Sequence, residues 1–534
     1  MPAPQTSRAV DFFNQGEELK KSHRYEEALA AYDKALHLMP DYAEAWYNRG
    51  VVLGILQRYS DSLAAYNKAL QLLPDFPEAW YNLGVTLGIF QQYSEALAAY
   101  DKVIQLQQNF PEAWNNRGVV LENLERYSDA LASYDKALQL LPLYTDAWNN
   151  RGVALGNLQQ YSDAIASFDK ALQLLPDYPE AWYNRGLALD ELQQYSDAVD
   201  SYDKALQLLP DYPEAWYNRG LALDELQQYS DAVDSYDKAI QLQSDNAYAW
   251  YSRGLALDEL QRYSDAVDSY DKAILLLPDY PEAWYSRGYA LGLWQRHSEA
   301  LAAYDKAVQL QPDFPEAWYN RAVTLGILQR HSEALASYDK AILLQPDFPE
   351  AWYNQGVALG ELQRYSDALA SYDKAILLQP DFPEAWYNRG VALGELQRYS
   401  DALASYNKAL QLQPDFSEAW YNQGVTLGIL QRHKGAIASY DKVLQIQPDY
   451  PEAWHNRGVA LGELQRYSNA IASYDKAILL QPDYPEAWYN RGVALENLQR
   501  YSDALAAYDK AIQLQPNYQL AINTRLQLRQ RLAR

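Results

Sequence analysis

Small and apolar residues recur along this chain in two alternating stripes, each with helical spacing. In residues 349–382, Trp352, Gly356 and Leu359 share one helical face. Past Tyr365, the residues Ala368, Tyr372, Ala375 and Leu378 form a second face. Polar punctuation separates the two. Pro349 suits the first turn of a helix, where its missing N–H removes no hydrogen bond, and the acid Glu350 favours a helix N-terminus. Ser366 and Asp367 read as start signals for the second helix, and Pro380 with Asp381 closes it. The pattern predicts a helix, a turn and a helix in 34 residues, and no strand-type alternation occurs anywhere.

The same pattern is copied along nearly the whole chain. Fourteen tryptophans from Trp46 to Trp488 stand 34 residues apart, and only Trp294 falls outside the series. With the tryptophan at position 4 of each repeat, the first repeat is 9–42, with Phe12 in the tryptophan slot, and fourteen more fill 43–518. Residues 1–8 then read as a flexible N-terminus, and 519–534, with Ile522 in the slot, as a C-terminal capping helix. This predicts an all-α solenoid whose core grows repeat by repeat.

The repeat resembles the tetratricopeptide repeat (TPR). Trp352, Gly356, Ala368, Tyr372, Ala375 and Pro380 stand at that family's characteristic positions 4, 8, 20, 24, 27 and 32. Two departures stand out: position 15, usually Gly, is Gln or Glu in most repeats, and position 7, usually Leu, is mostly Arg. The resemblance implies a right-handed superhelix of about fifteen helix-turn-helix repeats. First helices would line a concave groove, with ligand contacts at positions 2, 5, 6, 9, 12, 13 and 33.

Composition narrows the function. The absence of cysteine excludes disulfides, cysteine-ligated metal and catalytic thiols. No phosphate loop, HExxH or nucleophile elbow occurs, and six scattered histidines make no site. His297, His331 and His433 each replace Tyr at position 17 and read as packing substitutions. No cofactor or metal is implied, and no sequence is left over for a catalytic domain. No apolar run approaches a membrane span, and the N-terminus lacks a signal core, so a cytoplasmic protein is expected. The net charge of −25 disfavours nucleic acid and anionic membranes and favours basic or neutral partners.

In that register, position 6 is a run of asparagines: Asn14, Asn48, Asn82, Asn116, Asn150, Asn184 and Asn218, then Asn320, Asn354, Asn388, Asn422, Asn456 and Asn490, interrupted by Ser252 and Ser286. A side-chain amide can donate and accept, so a row of them suits an extended polypeptide backbone. Position 5 adds aromatic area, as at Tyr183, Tyr217 and Tyr251, with Asn115, Asn149 and His455 as exceptions. The pairs Asp190–Glu191, Asp224–Glu225 and Asp258–Glu259 predict the most acidic stretch of the groove, suited to a Lys/Arg-bearing segment. In repeats 2 to 15 no Lys or Arg stands at position 2, 5, 6, 9, 12 or 13, so a carboxylate clamp is confined to Lys20 and Lys21.

Two further expectations concern the joints. Position 25 is Asp except at Asn67 and Asn407, and the repeats after these two carry Leu83 and Gln423 in place of Arg at position 7. This covariation predicts an ion pair from position 25 to position 7 of the next repeat, with Gln355 breaking the rule. Prolines are lost around Gln108 and at Ser244 and Ala247, where looser joints are an alternative to mere drift. Together these features point to a non-enzymatic scaffold that binds an extended protein segment. The alternatives are a targeting array for an enzyme on another chain and a self-assembling spacer. For the last, Arg525, Arg529, Arg531 and Arg534 in the tail would seed end-to-end association with an acidic body.

Overall fold

The structure, a computed structural model, describes residues 4–533 and contains 31 helices, with no strand among the described residues. Each repeat supplies a first helix such as Pro383–Glu395 and a second such as Tyr399–Leu412. The opening helix, Pro4–Lys21, begins before the repeat boundary at residue 9, so part of the segment expected to be flexible is helical. Residues 1–3 lie outside the described residues, as does Arg534.

The turn inside each repeat follows one design. The backbone N–H of Gln397 donates to the Gly394 carbonyl at 2.9 Å, and that of Arg398 to the Leu393 carbonyl at 2.8 Å. This double closure is a Schellman motif, which places the residue after the helix in left-handed conformation. Gln397 sits there at φ 59°, and the equivalent residue of every repeat, from His23 to Gln499, lies between 57° and 62°. The departure at position 15 is thus a side-chain change only; the backbone keeps the shape glycine would favour. The second helix starts at Tyr399, ahead of Ser400 and Asp401, and neither caps it. Asp401 instead accepts from the Arg398 guanidinium at 2.7 Å.

Burial concentrates where the two helices meet. Ala402, Tyr406 and Ala409 of the second helix and Ala392 and Leu393 of the first are buried. Gly390 permits this approach, because a Cβ there would stand 2.5 Å from the Tyr406 ring. One repeat carries Ala322 at this place with Tyr338 still buried, so the ring can give way to a single methyl. The tryptophans are not the deepest residues: Trp386 is partly exposed and packs against Ala409, Leu410 and Ala419. Its indole N–H donates to the Pro380 carbonyl of the preceding turn at 3.0 Å. Because the acceptor is backbone, this contact survives loss of the proline. Trp114 donates to the Gln108 carbonyl at 3.0 Å and Trp250 to the Ser244 carbonyl at 3.2 Å. At the second of these joints Asn246 also caps the following helix, accepting from the Tyr248 and Ala249 N–H groups.

The helices group into two compact bodies, Met1–Leu276 and Leu277–Arg534. Within each body, first helices of successive repeats touch one another, as Pro315–Ile327 touches Pro349–Glu361, and second helices are not in comparable contact among the described residues. The first helices therefore form the inner, more tightly curved side of each body.

Candidate peptide-binding face

A polar column fastens each repeat to the next. Arg389 Nε donates to Asp373 Oδ1 at 2.6 Å across the joint, and its Nη1 donates to Ser405 Oγ at 2.6 Å in its own repeat. The guanidinium lies 5.7 Å from the Trp386 ring centroid, within cation–π range. The same ion pair forms from Arg49–Asp33 to Arg491–Asp475, as the covariation predicts. The exceptions follow the same geometry. Gln355 Nε2 donates to Asp339 at 2.7 Å, and Gln423 Nε2 to Asn407 at 2.7 Å. Gln355 therefore keeps the bond while losing the charge, and at the Asn67 joint the buried Leu83 packs among apolar neighbours instead. The serine at position 23, which sequence reasoning missed, completes the column. Arg389→Gln is expected to leave stability within about 0.5 kcal/mol, and Arg389→Ala to cost about 1 kcal/mol, modest because Asp373 is half exposed. Equilibrium urea unfolding distinguishes the two.

The asparagine row turns out to be a second set of joints. Asn388 Nδ2 donates to the Tyr353 hydroxyl of the preceding repeat at 2.9 Å, and Asn82, Asn116, Asn218, Asn320, Asn354, Asn422 and Asn456 repeat the bond. Where Tyr is absent, another acceptor replaces it. Asn150 donates to Asn115, Asn184 to Asn149, and Asn490 is paired with His455 Nε2 at 2.9 Å. Burial holds the His455 imidazole below its ordinary pKa, which keeps it neutral and able to accept. Asn48 differs again, donating to the Glu44 carbonyl and accepting from Lys20 Nζ at 2.7 Å. One N–H of each amide is thus committed within the fold. Among the described residues, the Oδ1 atoms of Asn388 and Asn422 accept no hydrogen bond, whereas the Asn456 side chain is hydrogen-bonded to its neighbour His455. Tyr183, Tyr217 and Tyr251 are half-buried, and Tyr183 packs 4.8 Å from the Tyr212 ring centroid.

The acid pairs split into two roles. Asp190 turns inward and accepts from the Tyr202 hydroxyl; Asp224 accepts from Tyr236 at 2.5 Å and Asp258 from Tyr270 at 2.6 Å. Desolvation pushes all three carboxyls up to about 6, against the opposing effect of the tyrosine bond. Their second oxygens are buried without a partner. Glu122 stands in the same place relative to Tyr134, but Glu122 Oε1 and the Tyr134 hydroxyl are both buried without a hydrogen-bond partner, and burial pushes the carboxyl up to about 7. Glu191, Glu225 and Glu259, by contrast, are exposed and have no basic partner among the described residues. Within each pair, then, only the second acid leaves its charge open to solvent.

Cations at both ends have internal partners. Lys20 bonds Glu17 as well as Asn48, and Lys21 bonds Glu18 at 3.1 Å. In the closing helix Gln519–Leu532, Arg525 takes the position-7 role against Asp509 at 2.5 Å, Arg529 shares that carboxylate, and Arg531 reaches Glu496 at 2.9 Å. Arg534 lies outside the described residues. No group of His, Asp and Glu among the described residues could hold a metal ion, and no helix is long and apolar enough to cross a membrane.

Tandem helix pairs joined by repeating side-chain bonds define an α-solenoid repeat protein. Family profiles described as tetratricopeptide repeat match 149–283, 353–451 and 455–518, with further matches at 43–76, 111–143, 281–314 and 315–348. TPR profiles also match 16–54, 65–98 and 91–125. The chain belongs to the tetratricopeptide repeat family, whose arrays serve broadly as protein–protein interaction scaffolds. It is similar to the crystal structure of YrrB, a TPR protein with an unusual peptide-binding site, at 26% identity over 35% of this chain and 95% of that one, with a TM-score of 0.32. It is also similar to the MamA protein, at 25% identity over 31% of this chain and 91% of that one, with a TM-score of 0.30. No curated protein sequence matches it.

Proposed function

We propose that the inner faces of this chain hold an extended segment of another protein, basic or neutral in charge. The observation that carries this is the row Glu191, Glu225 and Glu259, exposed on successive first helices and unopposed by any cation among the described residues. Leu221 and Leu255, partly exposed on the same helices, add apolar area beside the charges. Free carboxylates in a row attract a positively charged chain, and the neighbouring leucines favour its aliphatic stems. The unpartnered Oδ1 atoms of Asn388 and Asn422 can accept from a bound backbone's N–H groups.

A labelled extended peptide of alternating lysine and glycine, followed by fluorescence anisotropy at low salt, tests the reading. Wild type is expected to bind it, with affinity falling as salt is raised. The combined substitutions Glu191→Lys, Glu225→Lys and Glu259→Lys are expected to weaken binding by about tenfold or more. Unchanged affinity in that variant would rule out this face.

A further inference from the structure

The turn that opens each second helix follows a charge rule. Where position 16 is arginine, an acid at position 19 pairs with it. Arg364 meets Asp367 at 2.6 Å, Arg398 meets Asp401 at 2.7 Å and Arg500 meets Asp503 at 2.6 Å. The earlier arginines, from Arg24 with Glu27 to Arg330 with Glu333, do the same. Two adjacent repeats break the rule. Gly435 and Asn469 stand at position 19, and neither second helix has an acid in its first turn. Arg432 and Arg466 are exposed, with no ion pair among the described residues. The first of these turns adds Lys434, also exposed and unpaired, where every other repeat in 43–518 has serine.

The two turns are neighbours in the second body. Gln431 and His433 of the first, and Glu463 just ahead of the second, line one cleft of about 560 Å³. Val425, Ile429 and Val459 give it apolar walls. Across residues 429–435 and 463–469, the charges are Arg432, Lys434 and Arg466 against Glu463 alone. The turns on either side are closed pairs, Arg398 with Asp401 and Arg500 with Asp503. A chain of net charge −25 thus leaves two adjacent turns positive. We infer that these turns dock a short acidic segment of a partner protein, with its Asp or Glu carboxylates taken by Arg432, Lys434 and Arg466 and an apolar side chain seated in the cleft. This surface lies on the turn edge and takes the opposite charge, so it goes beyond the groove reading.

Charge and size select this occupant. An arginine released from its own acid keeps a planar fork of donors that fits a carboxylate. Three cations over two repeats suit a few carboxylates. A nucleic acid draws its affinity from many phosphate contacts and would meet the negative charge of the whole chain. Glu463 in the cleft wall repels an acid, so the apolar residue takes the cleft and the acids its rim.

The test restores the rule without removing a cation. The probe is a labelled peptide with one leucine between runs of alternating glutamate and glycine, titrated with the full chain and followed by fluorescence anisotropy at low salt. Wild type is expected to bind it, with affinity falling as salt is raised. Gly435→Asp combined with Asn469→Asp gives Arg432 and Arg466 the acids that the other repeats supply, and should weaken binding by about tenfold or more. Gly435→Ala combined with Asn469→Ala controls for shape and should retain binding. A Cβ on Gly435 meets Leu427 Cδ1 at 3.2 Å, the end of a side chain free to move. Exchanging the peptide's leucine for glycine should cost about fivefold or more. Unchanged affinity in the aspartate variant, or equal loss in the alanine variant, overturns the assignment. So does preference for a phosphoserine peptide or single-stranded DNA. Scattering by the chain alone that the aspartate variant abolishes would give the edge to a second copy and overturn it as well.

Discussion

Replacing Gln329, Gln363, Gln397, Gln431, Gln465 and Gln499 together by glycine is expected to stabilise the second body by about 3–6 kcal/mol. All six residues hold φ between 57° and 62°. For a residue with a Cβ, that conformation costs about 1–2 kcal/mol, whereas glycine adopts it freely. Glycine's extra freedom in the unfolded chain returns about 0.5–1 kcal/mol of the gain, leaving a net of about 0.5–1 kcal/mol per site. The sites recur once per repeat and share no partner, so their effects should add. Guanidinium unfolding measures the result, with Gln397→Ala as the control that trims the side chain but keeps the strain. Equal midpoints for the glycine variant and wild type would mean that the strain is relieved elsewhere.

The second large effect is set by pH. Asp190, Asp224 and Asp258 have folded-state pKa values of about 6, above the ordinary 3.8. A raised acid stabilises the fold fully below its unfolded pKa, and that contribution is lost as pH rises through the folded one. The first body should therefore lose stability between about pH 4 and pH 6–7 relative to a variant with Asn at all three positions. A rise of about 2 units corresponds to about 3 kcal/mol per group, and residual solvent access reduces it to about 1–2 kcal/mol. The triple variant should thus exceed wild type by about 3–6 kcal/mol at pH 7.5, with the advantage vanishing near pH 4. Asn keeps an acceptor for each tyrosine, so the comparison isolates the charge. Curves that stay parallel across the range would show that these carboxyls titrate normally.

One period, repeated with no slip, made the fold readable from sequence. It fixed the tryptophan, glycine and alanine positions and so both helices. The Arg–Asp column was readable for another reason: Asn67 with Leu83 and Asn407 with Gln423 changed together, and the variation exposed the contact. The asparagine row gave no such pair. Its partner tyrosine stands 35 residues earlier and, apart from Phe13 in the first repeat, varies only to Asn115, Asn149 and His455. That all three can accept a hydrogen bond was the available signal, and it points to a joint as well as to a ligand. The inward turn of Asp190 had a fainter trace. Every repeat with an acid at position 12 has tyrosine at position 24, whereas Phe168 occurs with Gly156. Which acid of a pair faces solvent depends on helix rotation and on the depth of the tyrosine hydroxyl, and the linear pattern does not encode these.

The bonds between repeats also bear on how such a chain changes over generations. Each joint uses the same offsets: 16 residues from Asp373 to Arg389 and 35 from Tyr353 to Asn388. Excising or inserting a whole repeat brings a donor opposite an equivalent acceptor wherever the repeat that follows the seam carries Arg or Gln at position 7, which all but the Leu83 repeat of 43–518 do. Unequal recombination between near-identical repeats, such as 179–212 and 213–246, would then yield a shorter or longer protein with every seam already matched. Length becomes a heritable variable that can drift or be selected without any new interface having to evolve.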